Sequence, residues 1–148
     1  MPNRILKFIV IALAALTAPM VMAADDAGQI KVVNGQVTLE RAGQSIPAVT
    51  GARIQQSDTL RTGAGGSVGV TMLDNTLVSA GPNSVLVIER YAFNSTTHQG
   101  QFDAGLRRGT LSMVSGKLAK QAPDSVRVIT PTTVLGARGT EFNVQVTD

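Results

Sequence analysis

The chain has 148 residues, with 13 Lys and Arg against 10 Asp and Glu, and no cysteine. That length fits one ordinary domain, and the absence of thiols excludes disulfide staples, cysteine nucleophiles and thiolate metal ligands. With four phenylalanines, one tyrosine and no tryptophan, the chain has no aromatic platform on which nucleic-acid bases would stack.

The first residues read as a secretory signal peptide. Arg4 and Lys7 precede the unbroken apolar run of residues 8–16 (FIVIALAAL), and Pro19 and the small-residue exit through Ala23 follow it. A positive start, a short apolar run and a small-residue exit are the three parts of such a signal. The expected cut after Ala23 makes residues 1–23 the signal and 24–148 one mature domain. The alternative is an uncleaved anchor, which the short uncharged stretch of residues 8–24 and Pro19 disfavour. Removing Arg4 and Lys7 leaves 11 basic residues against 10 acidic ones. A net charge of +1 removes most of the case for a nucleic-acid partner.

The rest of the chain reads as short strands and turns. Residues 30–33 and 37–41 flank Asn34-Gly35, which predicts a two-residue hairpin with positive φ at both turn residues. Residues 42–44 form the next turn. Residues 67–73 alternate, with Val68, Val70 and Met72 on one face, and Asp74-Asn75 predicts a second hairpin into residues 76–80. Gly81-Pro82-Asn83 breaks the chain. The apolar run of residues 85–88 fits a strand covered on both faces. Residues 110–114, 126–130 and 142–146 complete the set, while residues 93–105 and 119–124 read as loops. No segment shows a helical period, so the expected class is all-β, a compact sandwich or roll of mainly antiparallel strands.

The stretch RTGAGGSVGVTML, residues 61–73, resembles a phosphate loop only superficially. A dinucleotide fingerprint starting at Gly63 needs its third glycine at position 68, which is Val68, and a Walker loop needs a lysine that is missing. The stretch leads into a strand, so no helix N-terminus is available to hold an anion. It is expected to be a tight turn, with Gly65 and Gly66 at positive φ and Gly69 at a bulge or a close approach.

A series of motifs runs through the second two-thirds of the chain: Asp58-Thr59-Leu60-Arg61-Thr62-Gly63, Asp74-Asn75-Thr76, Arg108-Gly109-Thr110, Thr130-Pro131 and Arg138-Gly139-Thr140-Glu141-Phe142. In this order they resemble the FecR domain, the periplasmic module of iron-dicitrate-type signal transducers, over about residues 49–146. Ser57 and Asn75 stand where that pattern has glycine, and asparagine tolerates positive φ. The resemblance implies a stand-alone exported member, periplasmic or secreted, with a protein partner in the cell envelope and no cofactor. Asp58, Leu60, Thr62, Gly63, Asp74, Asn75, Gly109, Thr130, Pro131, Arg138, Gly139, Thr140 and Phe142 are its signature residues, expected to be structural. Arg138 in particular is expected to be partly buried and tied to a carboxylate or to carbonyls.

An enzyme is not expected. His98 is the one histidine and sits in a polar stretch, no Gly-x-Ser-x-Gly elbow occurs, and acidic residues are scattered without metal-ligand spacing. The expected role is a non-enzymatic interaction module, with envelope signalling as its setting. The alternative is an envelope module that binds glycan or peptidoglycan or serves a structural role, and the scarcity of aromatic rings weighs against sugar stacking.

Overall fold

The computed structural model describes Pro19, residues 25–139 and residues 141–147. The expected signal helix lies outside the described residues, Pro19 excepted. Among the described residues twelve strands form: β1 (Asp26–Asn34), β2 (Val37–Arg41), β3 (Gln44–Pro47), β4 (Arg53–Gln55), β5 (Thr59–Thr62), β6 (Ser67–Met72), β7 (Leu77–Ala80), β8 (Val85–Phe93), β9 (Gly100–Val114), β10 (Val126–Ile129), β11 (Val134–Gly136) and β12 (Glu141–Val146). One short helix, α1 (Lys117–Gln121), and a 3-10 turn (Pro123–Ser125) lie between β9 and β10. The all-β expectation holds.

The strands form two sheets that share β9. Sheet I runs β12–β9–β7–β6–β1–β4, and sheet II runs β3–β2–β5–β8–β9–β10–β11. Every pairing is antiparallel except β9 with β10. The first part of β9 pairs with β8 and β10, and the part from Gly109 pairs with β7 and β12. The core lies between the sheets. Phe102, Ala104 and Leu106 point into it from the first part of β9, Leu111 and Met113 from the second. Inward residues thus switch from even to odd numbers, because β9 carries one extra residue at this point: Val85 pairs with Arg108 but Leu86 with Leu106.

Gly109 makes that switch possible. Its φ is +91°, and a Cβ there would lie 2.1 Å from Ser84 Oγ and 2.5 Å from Ser84 Cα. The Ser84 hydroxyl lies between the two crossing segments: Thr110 N–H donates to Ser84 Oγ at 3.0 Å, and the single Ser84 proton is shared between Pro82 O at 3.2 Å and Thr110 O at 3.3 Å. The largest fully buried side chains are all apolar, among them Ile30, Leu39, Ile54, Leu60, Met72, Leu86, Ile88 and Leu118. Each contributes about 1.5–3 kcal/mol by leaving water, so a disulfide-free domain of this length has ample driving force.

Several expectations are met. Val37 and Leu39 in β2, and Val68, Val70 and Met72 in β6, are buried in strict alternation. β6 and β7 form the hairpin expected at Asp74-Asn75. Ser57 and Asn75 have φ of 74° and 68°, which explains why glycine suits those positions.

Others are corrected. Asn34-Gly35 does not close a hairpin: β1 pairs with β4 and β6, and β2 with β3 and β5. Gly35 alone has positive φ, and a type I′ turn needs two such residues. The segment is a corner that carries the chain from sheet I to sheet II. Gly65 and Gly66 do not have positive φ either. They form the opposite corner, β5 to β6, and the two corners stack. A Cβ on Gly35 would meet Gly65 O at 2.6 Å, a Cβ on Gly66 would meet Gln36 O at 2.5 Å, and Gly63 N–H donates to Gln36 O at 2.9 Å. Close backbone approach, not handedness, requires Gly66. Gly69 sits opposite Val32 where the β1 register shifts, so the expected bulge lies on the partner strand.

The expected loop of residues 93–105 shrinks to residues 94–99, since β9 begins at Gly100 and buries Phe102 through Leu106. The expected loop of residues 119–124 is α1 and its 3-10 turn, five and three residues long. Elements this short carry no legible helical period. Residues 44–47 and 134–136 pair as short edge strands that alternation did not reveal.

Candidate functional site

The signature residues fall into two groups, buried ties and an exposed edge. Asp58, 1% exposed, follows the positive-φ turn at Ser57 and opens β5. Arg41, at the end of β2, forks onto it: Nε donates to Oδ1 at 2.9 Å and Nη2 to Oδ2 at 2.6 Å. The same Nη2 donates to Arg53 O at 3.0 Å, and Gln55 N–H donates to Asp58 Oδ2 at 2.7 Å. This one carboxylate therefore fastens β2 and β4 to β5. The hydrogen bonds to Asp58, with its charge, hold the Arg41 guanidinium above its ordinary range against the opposing effect of burial.

Asp74 is fully buried and has no cationic partner among the described residues. Its carboxyl group accepts from Tyr91 Oη at 3.0 Å, Thr76 Oγ1 at 2.6 Å, Thr76 N–H at 3.3 Å and Leu118 N–H at 3.1 Å. Tyr91 Oη in turn accepts from Asp74 N–H at 3.0 Å. Lys117 N–H donates to Asp74 O at 2.8 Å, so the β6–β7 turn also anchors the start of α1. Burial first, then the Asp74 charge, pushes the Tyr91 phenol far above its ordinary range.

Thr62, Gly63 and Leu60 complete the first signature. Leu60 is in the core, Thr62 Oγ1 donates to Gly81 O at 2.6 Å and accepts from Ser84 N–H at 2.8 Å, and Gly63 belongs to the stacked corners. Thr130 is buried and closes the turn after β10, its Oγ1 accepting from Thr133 N–H at 3.1 Å; Pro131 beside it is exposed.

The Arg138 expectation fails. Its side chain is 79% exposed, and its one carboxylate contact among the described residues is Asp124 Oδ1 at 3.5 Å, itself 88% exposed. Asp58 is held by Arg41 and not by Arg138. Gly139 has φ of 113° with open space around it, Thr140 lies outside the described residues, and Phe142 is half-buried in β12.

Arg41, Tyr91, Asp103 and Arg127 escaped the sequence reading. Arg127 in β10 forks onto Asp103 in β9 with both bonds at 2.9 Å. Burial pushes the Asp103 carboxyl up, but the hydrogen bonds from Arg127 and Gln101 and the charges of Arg127 and Arg90 outweigh it and leave it below the ordinary carboxylate range. Asp103 stood in a stretch that read as loop, which hid its partner.

These three carboxylates are each occupied by several internal donors. Among the described residues no three His, Asp or Glu side chains converge as metal ligands. His98, at φ of 58°, sits in the turn after β8 with its ring stacked on Phe93 at a centroid distance of 6.0 Å. Two open grooves flank β12. An uncharged groove of about 600 Å³ on the outer face of sheet I is lined by the polar Ser79, Ser112, Asn143 and Gln145 and by the apolar Ala80, Leu111 and Val144. A second groove of about 510 Å³ lies between Thr130–Leu135 and residues 144–147.

Residues 58–148 match the family model described as FecR protein. Among solved structures the chain is similar to one described as a "Cell surface anchoring domain", at 32% identity over 42% of this chain and 83% of that one, with a TM-score of 0.41. No curated protein matches it. The family match begins at Asp58, whose carboxylate fastens β2 and β4 to β5, and extends through β12; on that match, the chain belongs to the FecR family.

Proposed function

We propose that the chain is an exported, non-enzymatic FecR module that works in the cell envelope through contact with another protein. In this reading residues 1–23 are its signal peptide and residues 24–148 the mature domain. One observation carries the proposal: the FecR match spans residues 58–148, and its buried signature carboxylates, Asp58 and Asp74, are spent on internal ties. Side chains used in that way build a scaffold and leave the surface to act. Signalling is the setting the family supports.

The test is crosslinking in intact envelopes followed by purification. A defined envelope protein recovered with the wild-type chain, and lost on surface substitution of Arg138 or Leu135, supports the reading. A chain recovered from the cytoplasm, or one that crosslinks to nothing, sinks it.

One observation favours a second reading, binding of cell-wall glycan. Ser79, Ser112 and Asn143 stand side by side across three strands of sheet I, and the groove over them is lined without charge. Hydroxyl and amide groups in a row suit a neutral polyhydroxylated polymer. Sedimentation with purified cell wall separates the two readings, because only glycan binding carries the purified chain down.

A further inference from the structure

Four strands end the two sheets, and three of them are blunted. β3 has four residues and ends in Pro47, β4 has three and begins with Arg53, and β11 has three. Short length, proline and basic side chains are the usual means of keeping an edge from pairing. β12 has none of them. It runs six residues, Glu141–Val146, in unbroken register with β9, carries no proline or basic residue, and has its single charge at its first position. Among the described residues its other side is unpaired.

The flanks of β12 suit an added strand. Phe142, Val144 and Val146 face inward but remain half-exposed, and the groove of about 510 Å³ beside Val144 and Val146 is lined also by Leu135, Pro131 and Arg107, whose guanidinium is already paired with Glu89. Asn143 and Gln145 face the uncharged groove on the other side. An incoming strand must therefore alternate, apolar inward and polar outward, with little charge.

We propose that β12 of a second copy fills this edge, antiparallel about a twofold axis at Val144, so that sheet I continues from one copy into the next. The strand is complementary to itself in that register. Phe142 lies opposite the partner's Val146, Asn143 opposite the partner's Gln145, and Glu141 opposite the partner's Thr147. Apolar residues meet apolar ones, amide meets amide, and the one charge does not meet its copy. An edge whose one charge sits at its first position offers a foreign strand little charge pattern to read, whereas a copy matches it in length and alternation.

Sedimentation velocity of the purified chain over a concentration series tests this. The wild type gives a monomer–dimer equilibrium. N143K/Q145K sets lysine opposite lysine twice per dimer and raises the dissociation constant about tenfold or more. N143K/Q145E sets lysine opposite glutamate at both places and restores the dimer. Circular dichroism confirms that each variant is folded. Independently, Val144→Cys, in a chain with no other cysteine, forms a disulfide-linked dimer on oxidation, since directly opposed strand residues lie within disulfide range; Ser45→Cys on β3 does not. A wild type that stays monomeric throughout, a double-lysine variant that dimerises as well as the wild type, or a Val144→Cys chain that crosslinks no better than Ser45→Cys overturns the proposal.

Discussion

Tyr91 on β8 donates its hydroxyl to Asp74 Oδ1 at 3.0 Å and receives the Asp74 backbone N–H at the same distance, so one phenol joins a strand of sheet II to a turn of sheet I. Its ring also meets Phe102 edge-on at a centroid distance of 5.3 Å. Tyr91→Phe keeps the ring packing and removes both hydrogen bonds. It leaves a buried donor and a buried acceptor short of a partner, and urea unfolding is expected to show a loss of about 1–3 kcal/mol.

The same phenol predicts an alkaline limit. Its folded pKa is raised above the unfolded value, so its contribution is complete below about pH 10 and is lost as pH rises above that. Unfolding free energy measured against pH should fall on the alkaline side in the wild type, and the fall should be smaller in Tyr91→Phe. Equal slopes would assign the alkaline loss to other groups.

Asp103 sets the acid side. Its folded pKa is lowered, so the stability it contributes is present above the ordinary carboxylate range and is lost as pH falls through the folded value. Asp103→Asn should destabilise the chain at neutral pH and flatten the acid limb. A variant with the wild-type acid profile would show that the Arg127 fork contributes little.

Arg41 and Asp58 form a partly screened pair, with Arg41 36% exposed and Asp58 1% exposed. Arg41→Ala leaves the carboxylate buried with only the Gln55 N–H of its described donors, and is expected to cost about 2 kcal/mol. The double-mutant cycle with Asp58→Asn should show a favourable coupling. A coupling near zero would place the tie in the backbone bonds around Ser57.

The glycines separate by cause. Gly109→Ala meets both positive φ and Ser84 and should cost about 3 kcal/mol or more. Gly139→Ala has the same handedness with open space and should cost about 1 kcal/mol. Gly66→Ala meets Gln36 O, while Gly65→Ala meets nothing at an ordinary φ and should be neutral or slightly stabilising. Thermal unfolding of the four variants orders them, and a Gly65→Ala variant as damaged as Gly66→Ala would contradict the stacked-corner account.

The sequence by itself determined the class of this protein, its family and the inward face of several strands. Alternation in residues 68–72 names the buried side of β6, and the residues at positions 57 and 75 announce turns whose positive φ is local to the chain. Periodicity says which way a side chain points but not which strand lies beside it. Only the tertiary structure decided that Asn34-Gly35 is a corner, because β1 and β2 find better partners in different sheets. It alone chose Arg41, Tyr91 and Arg127 as partners of Asp58, Asp74 and Asp103, at separations of 17, 17 and 24 residues that no local pattern encodes. It also left Arg138 in solvent and β12 at an edge. The short segment between β11 and β12 holds Arg138 outside the core, and among the described residues the last strand of sheet I has a neighbour on one side only.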